Sequence, residues 1–236
     1  AFISSCSKTL EYLKVKYLNV DGLQFSLLES LKILDLRTAF LTTIQNEALP
    51  PNLQVLDLRK TGLSYLRNIV FPNSLTKIYL SHTDLADMDN VIFPSNLQEL
   101  HLNSTRLSQL PKSISAIKSL EQLNISNLSL KYLPEWLPEI RLPFSRDNPY
   151  FGIFLYGTTV DDPSIDMSIF DMLQEVILQW FYERENAPKP LRELKVVFLG
   201  DGEAGKTHTI ARLLNDGRQV SKFRGVSTPG IVIEDK

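Results

Sequence analysis

The chain contains a single cysteine, Cys6, so no internal disulfide can form. Secreted solenoid proteins often close their ends with cysteine pairs, and the lack of them points to a reducing, cytoplasmic setting. No apolar run approaches the ~20 residues of a membrane span. An excess of positive charge is also missing. Lys and Arg number 25 against 27 Asp and Glu, for a net charge of −2, and no long basic run occurs. That balance argues against nucleic acid or an anionic membrane as the main partner. With 43% apolar and 22% charged residues, the 236-residue chain can bury a substantial core and is not disordered by composition.

The apolar residues recur with a fixed period. Repeats begin at Leu10, Leu31, Leu53, Leu75, Leu97 and Leu120, in steps of 21, 22, 22, 22 and 23 residues, each with apolar residues at offsets three, five and ten. Leu97, Leu100, Leu102 and Leu107 show the pattern in full, and a seventh copy starts at Tyr150 with Ile153, Leu155 and Val160, after an irregular insertion from Arg141 to Pro149. Over about two thirds of the chain this resembles the leucine-rich repeat family, whose period is about 20–29 residues. Each repeat is expected to give one short parallel strand whose alternate side chains enter a shared core, closed by a return segment. Offset eight, where Asn is usual, carries Thr61, Thr83, Thr105 and Thr158, with Ala39, Leu18 and Leu128 elsewhere. A ladder of threonine hydroxyls is expected there. Prolines at Pro50, Pro51, Pro72 and Pro94 predict extended return turns and a thin, short-period horseshoe, similar also to the repeats of bacterial effector proteins.

From Asp166 to Asn186 the period becomes helical, with Ile169, Phe170, Leu173, Val176, Ile177, Trp180 and Phe181 on one stripe. Ser168 with Asp171 resembles a capping box, and Ala187-Pro188-Lys189-Pro190 ends the helix. Its expected role is to cap the open end of the solenoid core. Beyond it, the apolar strand Lys195 to Leu199 leads into Gly200-Asp201-Gly202-Glu203-Ala204-Gly205-Lys206-Thr207, and a helical pattern follows to Asn215. This order of strand, glycine loop and helix reads as a phosphate cradle: backbone amides 201 to 207 turn toward phosphate oxygens, Lys206 supplies an ammonium and Thr207 holds Mg²⁺. Glu203 reads as a solvent-facing spacer, and His208 is given no role. About twenty-nine residues follow Thr207, fewer than a phosphate-binding α/β domain needs, so a domain cut short is expected.

Repeats, a terminal repeat containing proline, a helix ending in Leu178-Gln179-Trp180-Phe181 and then the phosphate loop resemble, in that order, the Roco family. The resemblance implies a Roc domain, a Ras-like GTPase that binds GTP, GDP and Mg²⁺, with a homodimer made through a downstream COR domain. Ser227-Thr228-Pro229-Gly230 looks like the family's first switch, which implies that Thr228 shares Mg²⁺ with Thr207. No Asp-x-x-Gly second switch and no Asn-Lys-x-Asp base reader follows Lys206, so no residue of this chain is assigned a catalytic role.

The expected fold class is therefore α/β: a solenoid over 1–163, a linking helix over 164–190 and the start of a P-loop domain over 191–236. Outward strand positions should stack in columns on the concave face. Offset four gives Lys14, Asp35, Asp57, Tyr79, His101, Asn124 and Phe154, and offset six gives Lys16, Arg37, Arg59, Ser81, Asn103, Ser126 and Tyr156. Tyr79, His101, Phe154 and Tyr156 are the expected anchors for a protein or peptide partner; in the plainer alternative Asp35 and Asp57 only neutralise Arg37 and Arg59. Two functions are compatible with these features. One is a GTP-dependent regulator whose repeats bind a partner. The other is a recognition protein, effector-like or receptor-like, with an ATPase or vestigial phosphate loop.

Overall fold

The structure, a computed structural model, describes residues 8–44, 49–145, 150–161 and 174–186. The chain divides into two units, Ala1–Asn186 and Ala187–Lys236. The second unit lies outside the described residues, and with it the phosphate loop Gly200 to Thr207 and Thr228.

Each of the seven repeats contributes one three-residue strand: β1 (Tyr12–Lys14), β2 (Ile33–Asp35), β3 (Val55–Asp57), β4 (Lys77–Tyr79), β5 (Glu99–His101), β6 (Gln122–Asn124) and β8 (Gly152–Phe154). They form a single parallel sheet in chain order. Their register is in step throughout, so equal offsets face one another: Leu34 pairs with Leu56, Leu56 with Ile78, Ile78 with Leu100, Leu100 with Leu123 and Leu123 with Ile153. This inward column is at most 1% exposed, and the offset-five leucines Leu36, Leu58, Leu80 and Leu102 join it. Burying each such side chain is worth about 1.5–3 kcal/mol, which the short strands could not match with backbone bonds alone.

Past the strand, every repeat turns at the same place. Tyr17, Thr38, Lys60, His82, Ser104 and Asn127, all at offset seven, have φ between 54° and 62°, and Gly157 completes the series at 69°. The reason lies in the hydrogen bonds between repeats. The N–H of Leu58 donates to Tyr79 O at 2.8 Å, and two residues later the N–H of Lys60 donates to Ser81 O at 3.1 Å; Leu80 and His82 repeat the pair onto His101 and Asn103. A left-handed residue lets the chain turn while keeping its amide aimed at the next repeat. For L-residues that conformation costs about 1–2 kcal/mol, and here the ladder imposes it on residues as unsuited as Thr38.

The threonine column differs from expectation. Thr61, Thr83 and Thr105 are buried, but each hydroxyl donates back to the carbonyl three residues earlier, of Leu58, Leu80 and Leu102, at 2.8, 2.8 and 2.9 Å. Only Thr158 reaches across to a neighbouring repeat, donating to Ile125 O at 2.6 Å. A threonine is too short to satisfy the adjacent repeat while closing its own turn, so the hydroxyls form separate clasps and not a ladder.

Return segments are extended, as the prolines predict. The N–H groups of Leu53, Leu75 and Leu97 close turns onto the carbonyls of Pro50, Pro72 and Pro94, and Phe71 stacks on Phe93 at 5.7 Å. Short 3₁₀ turns occur at Phe25–Leu27, Lys112–Ala116 and Leu137–Ile140. A second small parallel ladder joins β7 (Ser129–Leu130) to β9 (Thr159–Val160).

The irregular insertion proves to be structural. Its residues 143–145 pair with the outer edge of β8: Ile153 N–H donates to Pro143 O and Ser145 N–H to Ile153 O, each at 2.8 Å. This covers the backbone that would otherwise be an open edge. Helix α1 (Gln174–Asn186) buries Ile177 and Phe181, one turn apart, in the core of the same unit. The first half of the predicted helical segment, with Ser168 and Asp171, lies outside the described residues. No helix among the described residues is long and apolar enough to cross a membrane.

Two substitutions test this account. Thr38→Asn keeps a residue that tolerates left-handed backbone better than a β-branched one, and should raise stability by about 0.5–1 kcal/mol in urea denaturation. Gly152→Ala should lower it by about 2–4 kcal/mol, because its Cβ would lie 2.5 Å from Pro143 O at a φ of +121°. A neutral Gly152→Ala would show that residues 143–145 do not seal the edge.

Candidate functional site

Side chains at offsets two, four and six leave the core and stand on the open face of the sheet. The first three repeats carry the charges. Asp35 ends β2, and Arg37 two residues later folds back on it: Nε donates to Oδ1 at 2.9 Å and Nη2 to Oδ2 at 2.7 Å. Asp57 and Arg59 form the same clasp at 2.9 and 2.6 Å. In both, the aspartate also accepts the backbone N–H of its arginine at 3.2 Å, which fixes the side chain to the strand end. Lys14 lies 3.4 Å from Asp35, and Arg37 3.3 Å from Asp57, so the pairs link across repeats. The plainer reading of these residues as neutralising pairs is correct in its contacts, yet they are not surface pairs, since Asp35 and Asp57 are only 3% and 6% exposed.

Burial alone would raise the Asp35 pKa, but the hydrogen bonds and charge of Arg37 outweigh it and pull the group down to about 2.

The next two repeats carry a second cluster. The Arg59 guanidinium sits 4.9 Å over the Tyr79 ring, the Tyr79 hydroxyl donates to Glu99 Oε2 at 2.6 Å, and Lys77 pairs with Glu99 at 2.7 Å. Burial and the bond to Glu99 push the Tyr79 phenol well above its ordinary range, so it remains a donor. Burial would raise the Glu99 pKa, but its Lys77 and Tyr79 donors win and lower it. His101 meets the Tyr79 ring edge-on at 4.9 Å. Its Nε2 is buried without a hydrogen-bond partner, 4.0 Å from Glu99, and desolvation lowers its pKa, which keeps the ring uncharged at neutral pH.

The four expected anchors are therefore not one patch. Tyr79 and His101 meet, but both are half-buried and engaged. Phe154 is half-buried on β8, separated from β5 by β6, and Tyr156 alone stands free at 66% exposure. A groove of about 460 Å³ runs along this face, from Lys16, Arg37, Arg59 and Lys60 to His101 and Asn124. Reading offsets four and six alone missed part of its wall: Thr38, Lys60 and His82, all at the left-handed position, also line it. The signal was the offset-seven column, which ends in Asn127 and Gly157, the two residue types that most readily turn left. A larger cavity, about 850 Å³, opens on the return side among Asp89, Lys112, Trp136, Glu139 and Arg184. Its walls mix both signs of charge. Among the described residues no group of acidic, histidine or cysteine side chains could hold a metal.

The Asp35 clasp has a pH signature. Because the folded carboxyl is depressed below its ordinary 3.8, its stabilisation is fully present above about pH 4 and is lost as pH falls toward 2. Asp35→Asn should be less stable than the native chain by about 1–3 kcal/mol at pH 6, with the gap closing across that acid window in urea denaturation. A gap independent of pH would show that the ion pair contributes nothing.

No protein-family model and no curated protein matches this sequence. Among solved structures, a leucine-rich repeat protein of Leptospira interrogans is similar, with 26% identity and a TM-score of 0.50 over 65% of this chain. The match covers 38% of that protein's length. Taken with seven strands held in step, the first six of them 21 to 23 residues apart, the likeness makes this chain a leucine-rich repeat protein.

Proposed function

We propose that the chain recognises a polypeptide on the open face of its strands, and that in the protein to which it belongs this recognition is coupled to a Roc-type GTPase. The observation that carries the first part is the groove itself: strands in step at ~4.8 Å spacing place polar and aromatic side chains in columns, the arrangement by which a solenoid reads an extended partner. Tyr79, His101, Phe154 and Tyr156 are the proposed contacts: His101 lines the groove itself, while Tyr79, Phe154 and Tyr156 belong to the same outward columns outside its wall, Tyr156 as the exposed anchor. Support for the second part comes from sequence, namely Gly200 to Thr207 after an apolar strand. There Gly200, Gly202, Gly205 and the backbone of Asp201, Glu203 and Ala204 would cradle the phosphates of GTP, Lys206 would reach the β- and γ-phosphates, and Thr207 with Thr228 would hold Mg²⁺.

A second reading keeps the recognition face and makes the loop an ATPase or a vestige.

Peptides selected on the chain from a displayed random library should lose at least about tenfold in affinity to the Tyr79→Ala/Tyr156→Ala variant. Binders indifferent to every substitution on the strand face would remove polypeptide recognition there. For the loop, a chain carrying the whole phosphate-binding domain should bind labelled GTP with Mg²⁺ and lose that affinity in Lys206→Ala. Preference for ATP would select the second reading, and unchanged binding by Lys206→Ala would sink both forms of nucleotide chemistry.

A further inference from the structure

The groove is not electrically uniform, and its two ends would take different chemistry. At the N-terminal end, the carboxylates and their cations differ sharply in access: the side chains of Asp35 and Asp57 are 5% and 8% exposed, while those of Arg37 and Arg59 above them are 38% and 37% exposed. A ligand therefore meets guanidinium and not carboxylate. The clasps use Nε and Nη2 of each arginine, so the guanidinium planes are already fixed, and little side-chain entropy remains to be lost on binding. Lys16 and Lys60 line the same groove, and neither has an ion-pair partner among the described residues. Within a chain of net charge −2, these groups concentrate positive potential over three neighbouring repeats.

We infer that this end, from Lys16 to Lys60, docks an acidic segment of the polypeptide partner, an inference that rests on the recognition role proposed above. Carboxylates on alternate residues of an extended peptide lie ~6.6–7 Å apart, within reach of cations carried by strands spaced at ~4.8 Å. Beyond Arg59 the column turns neutral: Ser81 is buried and donates its hydroxyl to Asn103 Oδ1 at 2.5 Å, which leaves the Asn103 amide NH₂ as the group suited to a peptide carbonyl. That change of chemistry distinguishes a polypeptide from a nucleic acid, whose affinity accumulates over a longer track of phosphate contacts.

The test uses the 236-residue chain and fluorescence anisotropy with a labelled peptide of about ten residues, alternating Glu and Ser. A Lys-Ser peptide and a single-stranded oligonucleotide of equal charge serve as comparisons. The Glu peptide should bind, more weakly as salt rises, and Lys16→Glu/Lys60→Glu should weaken it by at least about tenfold while Lys118→Glu, an exposed lysine outside the groove, does not. Circular dichroism confirms that both variants fold. Equal binding of the two peptides, indifference to the double reversal, or tighter binding of the oligonucleotide would overturn the inference. Library-selected binders that map to the strand face without being acidic would also overturn it while leaving polypeptide recognition standing. Failure to select any binder that maps there removes the recognition role itself.

Discussion

The in-step ladder between repeats is the constraint on which the rest depends. Because each strand is only three residues long, it cannot hold register by length; it does so because the offset-five and offset-seven amides both reach the next repeat. That double attachment forces a left-handed turn at one position in every repeat, stacks the leucines into one core and lines up the outward columns. The recognition face is thus a by-product of the same hydrogen bonds that hold the fold. Its shape is set before any partner arrives, which is the condition under which a shallow groove can bind with specificity.

The electrostatics follow from the same geometry. An aspartate at a strand end and an arginine two residues later lie on the same side of the chain, so the carboxylate can accept both the side chain and the amide of its partner. Burying an unpaired carboxylate would be costly, and here every buried charge has a cation placed by the backbone. In adjacent repeats Tyr79 replaces the aspartate, and the pairing role passes to Glu99 and Lys77, one pleat further back.

Much of the fold was legible in the sequence. The starts at Leu10, Leu31, Leu53, Leu75, Leu97, Leu120 and Tyr150 each fall two residues before a strand, and the prolines marked the extended returns. What could not be read were features imposed by the ladder against local preference. Nothing in Thr38 or Lys60 suggests left-handed backbone, since their intrinsic preferences oppose it. Residues 143–145 carry no strand pattern, because their pairing with β8 is a single bridge, Phe144 opposite Ile153. On the recognition face, residue identities gave the columns, but burial divided them: Asp35 and Asp57 sank below their arginines, and of the aromatics Tyr156 alone was left free.

The closure of one end by the insertion has a further consequence for how such a chain can change in length. Repeats starting at Leu53 and Leu75 are each 22 residues long and bond only to their neighbours, through the same offsets on both sides. Loss or duplication of one whole unit there would rejoin matching hydrogen-bond partners. Beyond β8 no such freedom exists, because residues 143–145 occupy the edge to which another unit would have to attach. The reading surface is therefore modular in its middle and closed beyond β8, so whole units can be lost or duplicated within it but not appended after that strand.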